Sequence, residues 1–206
     1  MRIAVFGGTF DPPHIGHTTL AGFVLEHNYA ERVLFVPAYL PPHKNSADIT
    51  AFQHRFAMLQ LVVASNPGFM LSDIEARERR KPSYTYDTLL SLEKSYPADD
   101  LLLMLGYDSL LQLHTWFKCH EIIQRWQLLT YPRTLDYDMD RDKSLLRDWW
   151  NSEECDILLN SVINADTVTV SSTEIRQSLA DGSGAAGLIA DTVTDYIKQH
   201  NLYGYQ

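Results

Sequence analysis

The stretch RIAVFGG near the start of the chain constrains the fold more than any other. An apolar, β-branched run ends abruptly at Gly7-Gly8, as a buried strand does where it meets a turn. From about Ile15 to Asn28, Leu20, Phe23 and Val24 recur at helical spacing. RVLFVPA reads as a second buried strand, stopped at Pro37. Strand, helix and strand in that order make a right-handed βαβ unit, which implies a parallel sheet.

The alternation continues. The loop YLPPHKNSAD leads into a helix from about Thr50 to Ser65, and a third strand is expected over Phe69 to Ile74. SYTYDTLLSLEKSY reads as a helix with Leu89, Leu90 and Leu92 on its buried side, and LLLMLG as a central strand ending at Gly106. A strand near Trp126 to Thr130 follows, then a charged stretch, DYDMDRDKSLLRDWW, expected as a loop and short helix. DTVTVSSTEIRQSL reads as a strand running into a helix, and DGSGAAG as a turn or linker. IADTVTDYIKQHNLY is a closing helix with Val193, Tyr196 and Ile197 inward. The fold expected is α/β: a Rossmann-like open parallel sheet with helices on both faces. At 206 residues and 45% hydrophobic, the chain suits one domain, 1–206, with a small C-terminal helical part over about 172–206.

Charge and composition exclude several classes. A net charge of −9 repels a polyanion, so neither nucleic acid nor an anionic membrane is an expected partner. No apolar run approaches the ~20 residues that span a bilayer. The opening MRIAVFGG reads as a strand rather than a signal peptide, and the two cysteines form no disulfide pattern, so a cytoplasmic location is expected.

Ligands of open α/β sheets bind beyond the carboxyl ends of the strands. That rule selects Gly7 to His17, Pro37 to Lys44, Gly106 to Asp108 and Ser171 to Arg176. In the first loop, Gly8 lets the backbone approach a ligand, Thr9 adds a hydroxyl, and Gly16 keeps the helix bare. His14 and His17 lie three apart at a helix start, where unpaired N–H groups favour an anion. The pair admits three readings: a metal site, which lacks an obvious third ligand; histidines of a core or surface; or a grip on a phosphate. The third fits the location best. Neither a dinucleotide-binding G-x-G-x-x-G nor a P-loop lysine follows the glycines.

The other loops each have an ordinary explanation beside a functional one. Lys44 is a solvated lysine or a phosphate ligand in a proline-stiffened loop. Ser171 and Glu174 fit a capping box, yet Ser172, Thr173 and Arg176 in the same segment suit a phosphate. Asp108 is a helix cap or an acceptor for a ribose or amine, beside Gly106. Two histidines, a lysine and an arginine at one sheet edge match what phosphoryl-type transfer needs, which is positioning and positive charge.

GGTFDPPHIGH together with SSTEIR resembles the nucleotidyltransferase superfamily marked by H-x-G-H. PPHK, HRFAMLQL, PSYTYDTL and LGYDSLLQLHTW, in order, are similar to segments of the bacterial nicotinate-nucleotide adenylyltransferases. The resemblance spans about Ile3 to Arg176 and the YIKQHNLY end. It implies that nicotinate mononucleotide attacks the α-phosphate of ATP in line, giving deamido-NAD and pyrophosphate. His14, His17, Lys44 and Arg176 would be the catalytic residues. Gly8, Thr9, Phe10, Gly16, Gly106, Asp108, Ser171, Ser172 and Thr173 would bind ATP, with Mg²⁺ carried on the substrate phosphates and no protein ligand. Thr85 and Trp116, with backbone near Tyr84 and Phe117, would take the mononucleotide. Without the resemblance, the ordinary readings are Thr85 as a helix cap and Trp116 as core packing.

The resemblance does not cover TYPRTLDYDMDRDKSLL, which is longer and more acidic than the R-P-G-type loop common in the family, and it leaves a homo-oligomer open. Other functions remain as alternatives. They are a nicotinamide-preferring enzyme, a nucleotidyltransferase with another phosphate-bearing acceptor, and a noncatalytic nucleotide sensor on the same fold. A class I aminoacyl-tRNA synthetase shares H-I-G-H, but this chain is short, acidic and without a K-M-S-K-S-like loop.

Overall fold

A computed structural model describes residues 1–41, 49–79, 82–132, 139–165 and 169–205. Its sheet has five parallel strands: β1 (Arg2–Gly8), β2 (Arg32–Pro37), β3 (Phe69–Leu71), β4 (Asp100–Gly106) and β5 (Gln127–Tyr131). Their order is β3-β2-β1-β4-β5. Strand order reverses between β1 and β4, so the connections leaving their carboxyl ends diverge and open a crevice there.

Alternation along the strands sends side chains to two cores. Ala4 and Phe6 of β1, Phe35 of β2 and Met104 of β4 meet Leu20, Ala21 and Val24 of α1 (Ile15–Glu26) and Leu59 of α2 (Phe52–Val63). Ile3, Val5, Leu34 and Leu103 face the other way. There they meet Leu89 and Leu92 of α4 (Thr85–Ser95) and Leu110 of α5 (Tyr107–Leu111). Ile122 of α6 (Cys119–Arg125), Leu146 of α7 (Met139–Leu146) and Leu158 of α8 (Ser152–Asn160) complete that layer. Helices thus cover both faces, as expected. Truncating any of these leucines to alanine costs about 2–5 kcal/mol.

A third apolar cluster lies behind α2. Met58 and Val62 pack against Ile175 and Leu179 of α9 (Ser172–Ala180), and against Val193 and Ile197 of α10 (Asp191–Gln199). Tyr196, expected inward, is partly buried against the same cluster. Gly182, Gly184 and Gly187 all take positive φ in the connection, which explains the glycines of DGSGAAG.

Some elements differ from expectation. The third strand stops at Leu71 because the Ser72 Oγ accepts from the Ile74 N–H at 3.3 Å, turning the chain into a short helix, α3 (Ile74–Glu78). Helix α8 follows the acidic stretch, and Asn151 and Glu154 cap it reciprocally at 2.9 and 3.1 Å. The strand expected before SSTEIR lies partly outside the described residues, and Thr169 and Val170 carry no strand. Instead Val162 forms an isolated parallel bridge with Thr130 of β5. Among the described residues, no helix is long and apolar enough to cross a membrane.

Candidate active site

A cleft of about 300 Å³ opens at the carboxyl end of β1 and is walled on its far side by the start of α9. Of the expected residues, Gly8, Thr9, Phe10, His14, Gly16, His17, Ser172, Thr173 and Arg176 all line it. Two elements more than 150 positions apart in sequence therefore present their N-termini to one volume.

The first wall is built by a sharp reversal. Phe10 takes φ 51° and folds its ring back over Gly8, where an added Cβ would lie 2.9 Å from that ring. No other residue fits at Gly8 without displacing the aromatic. His14 then caps α1 in an extended conformation and is 8% exposed. Its backbone N–H donates to Nδ1 of His17 at 3.1 Å, and the two rings lie 3.7 Å apart. The Phe10 ring meets that of His17 in a T-shaped contact at 4.9 Å. Because Nδ1 of His17 accepts a hydrogen bond, its neutral ring carries the proton on Nε2. His17 is thus set up as a donor.

The second wall is the capped end of α9. Ser171 and Glu174 form the expected capping box, with the Glu174 N–H donating to Ser171 Oγ at 3.2 Å. Ser172 Oγ donates to the Pro12 carbonyl at 3.0 Å. Arg176 Nη1 donates to the Asp11 carbonyl at 2.7 Å, and its Nη2 to Thr173 Oγ1 at 3.3 Å. Arg176 thus lines the cleft and also ties its two walls together.

Sequence reasoning passed over the residues that hold these walls. Arg55, 1% exposed, donates to the carbonyls of Thr50 at 2.8 Å, Thr9 at 2.7 Å and Ala38 at 2.7 Å. Burial pulls its pKa below that of a free guanidinium, with Asp11 opposing the shift. Asp11, 3% exposed, accepts from the Thr50 N–H at 3.2 Å and from Tyr203 Oη at 2.6 Å. Glu75 accepts from the Tyr39 N–H and from Thr88 Oγ1, both at 2.9 Å, and so joins the loop after β2 to α4. A signal for Arg55 exists: it shares the helical stripe of Met58, Leu59 and Val62, where a charge needs a buried partner.

Other expected residues lie elsewhere. Lys44 lies outside the described residues. Gly106 caps α5 and Asp108 stands in its first turn, and neither lines the cleft; nor does Ser171. Tyr84, Thr85, Trp116 and Phe117 gather around α4 and α6, away from the cleft walls. There Tyr84 caps α4, and its ring packs 4.8 Å from that of Phe117, which is 43% exposed. Trp116 is partly buried against the core. Lys118 Nζ sits 4.5 Å from the Tyr86 ring centroid and 5.7 Å from that of Phe117. Among the described residues, no cluster of three or more His, Cys, Asp or Glu side chains could hold a metal.

Comparisons with known proteins identify the family and the fold. The profile of the family described as Cytidylyltransferase-like matches residues 5–178. The nicotinate-nucleotide adenylyltransferase of Bacillus subtilis (strain 168) is 35% identical, over 98% of this chain and 98% of its own length. The probable nicotinate-nucleotide adenylyltransferase of Shewanella frigidimarina is 34% identical, over 98% of this chain and 100% of its own. The Plasmodium falciparum nicotinic acid mononucleotide adenylyltransferase, solved with NaAD, superposes with a TM-score of 0.77. It covers 100% of this chain and 98% of its own at 21% identity, a likeness of fold.

Proposed function

The chain belongs to the cytidylyltransferase-like family, and from that premise we infer that it is a nicotinate-nucleotide adenylyltransferase of NAD biosynthesis, as its relatives are named. It joins ATP and nicotinate mononucleotide to give deamido-NAD and pyrophosphate. The observation that carries this reading is the convergence of the His14–His17 pair and the α9 N-terminus on one cleft.

A phosphate oxygen of the mononucleotide attacks the α-phosphorus of ATP, and the bond to the bridging α–β oxygen breaks as pyrophosphate leaves. Charge accumulates on that bridging oxygen and on the departing phosphates. His17, with its proton on Nε2, donates there, and His14 lies against it in reach of the same group. Arg176 and the first N–H groups of α9 meet the pyrophosphate end. Lys44 adds a further positive charge to the triphosphate. Gly8, Thr9, Phe10 and Gly16 form the floor under the nucleotide, with Ser172 and Thr173 at the opposite rim and Ser171 capping the helix behind them; Gly106 and Asp108, outside the cleft walls, take the adenosine side.

Asp11, the carboxylate on this cleft, is engaged by Thr50 and Tyr203. That suits a Mg²⁺ held by phosphate oxygens and water, with the protein orienting the phosphates. At the other end, Trp116 stacks on the pyridine and Thr85 stands at the α4 N-terminus. The N–H groups after Tyr84 and near Phe117 receive the ring carboxylate. An anion gains from a helix start what a neutral amide does not. The whole chain acts as one domain, since α9 and α10 share an apolar cluster with α2.

Pyrophosphate release with ATP and Mg²⁺ tests the reading, with nicotinate mononucleotide, nicotinamide mononucleotide and phosphopantetheine compared side by side. Turnover highest with nicotinate mononucleotide is expected. No turnover with any acceptor would overturn it in favour of a nucleotide sensor.

A further inference from the structure

The loop between β1 and α1 has little regular pairing of its own. Pro12 and Pro13 have no N–H to donate, so the loop is held by donors reaching its carbonyls and the Asp11 carboxylate. These donors come from far along the chain. Asp11 alone is fixed at three atoms: Oδ2 by the Thr50 N–H, its carbonyl by Arg176, and Oδ1 by Tyr203. Tyr203 belongs to the last turn of the chain, a 3-10 segment over Leu202–Gly204 that departs from helical geometry at this residue, φ 60°. The turn docks on the apolar cluster of α9 and α10. Arg55 meanwhile holds the Thr9 carbonyl. Across the planar peptide, the Phe10 N–H is turned the opposite way from Arg55.

We infer that the C-terminal turn is a latch on the nucleotide site, with Tyr203 acting through Asp11, and Arg55 through the Thr9 carbonyl, as positioning residues for the loop that carries His14. The inference rests on the assignment of this cleft to ATP. Neither side chain lines the cleft. Each removes freedom from groups that must meet the α-phosphate within a few tenths of an ångström, and displacement of reacting groups by about 1 Å costs on the order of 100-fold in rate. Burial and the neighbouring Asp11 push the Tyr203 phenol up from its ordinary pKa, so it keeps the proton it donates.

The test is Tyr203→Phe in the full chain, which keeps the ring in its apolar seat and deletes the hydroxyl alone. The expected result is a kcat lower by about tenfold, with the KM for nicotinate mononucleotide within about twofold. Faster hydrogen exchange is expected in the segment 9–17. Adding Asp11→Asn to Tyr203→Phe is expected to cost less than the two single losses summed, since paired residues act as a unit. If Asp11→Asn does not fold, the single variant decides. Unchanged kcat and unchanged exchange, even with a lower Tm, would overturn the latch. A wild-type chain inactive with every acceptor would instead overturn the assigned reaction, and the exchange measurement would still decide the latch.

Discussion

The two ends of the proposed substrate path are built by opposite means. At the cleft between β1 and α9, buried charges hold the backbone. Arg55 and Asp11 are almost fully enclosed and together accept or donate five hydrogen bonds to partners in other segments. At the patch around α4 and α6, the groups are aromatic and partly open: Tyr84 against Phe117, Trp116 on the core, and Lys118 over Tyr86. The difference matches the two chemistries. A migrating phosphoryl group needs fixed donors where charge develops, whereas a planar ring needs faces to stack on and tolerates small shifts. The enclosed end should therefore govern kcat, and the open end KM.

The strongest way to break this contrast is His17→Ala. It should lower kcat by roughly 10²–10³-fold while ATP affinity changes little, because the donor acts mainly in the transition state. Steady-state kinetics together with ATP titration calorimetry would check it, and near-normal turnover would remove His17 from the chemistry. Next comes Arg55→Met. Three half-buried carbonyls lose their donor, so stability should fall by about 3 kcal/mol, read by urea denaturation; a loss under about 1 kcal/mol would mean that the loops hold themselves.

The remaining tests sharpen the open end. Trp116→Ala should raise the KM for nicotinate mononucleotide about tenfold, the equivalent of roughly 1.4 kcal/mol of stacking, and leave that for ATP nearly alone. Equal effects on both substrates would argue against stacking on the pyridine. Lys118→Met should have the smallest effect, cutting discrimination between the acid and amide mononucleotides about threefold at low salt and less at high salt. A salt-independent change would point to packing rather than charge.

Local spacing makes the first wall legible in the sequence. A strand ending in Gly7-Gly8, with histidines at 14 and 17, predicts a helix start facing the sheet edge, and α1 begins at Ile15 with His14 as its cap. SSTEIR was equally legible, because a capping box is a pattern within four residues. The latch was not. Asp11, Arg55 and Tyr203 meet through contacts spanning up to 192 positions, and each taken singly reads as an ordinary loop or helix residue. Helix α8 had no assignment from the sequence, although Asn151 and Glu154 carry the same capping pattern that marks α9.

The position of the triphosphate is the most direct point of test. A crystal structure with Mg²⁺ and a nonhydrolysable ATP analogue would decide it. The prediction is phosphates between the His14–His17 pair and Ser172 to Arg176, within hydrogen-bond reach of His17 Nε2. A triphosphate seated instead around Trp116, Phe117 and Lys118 would contradict it.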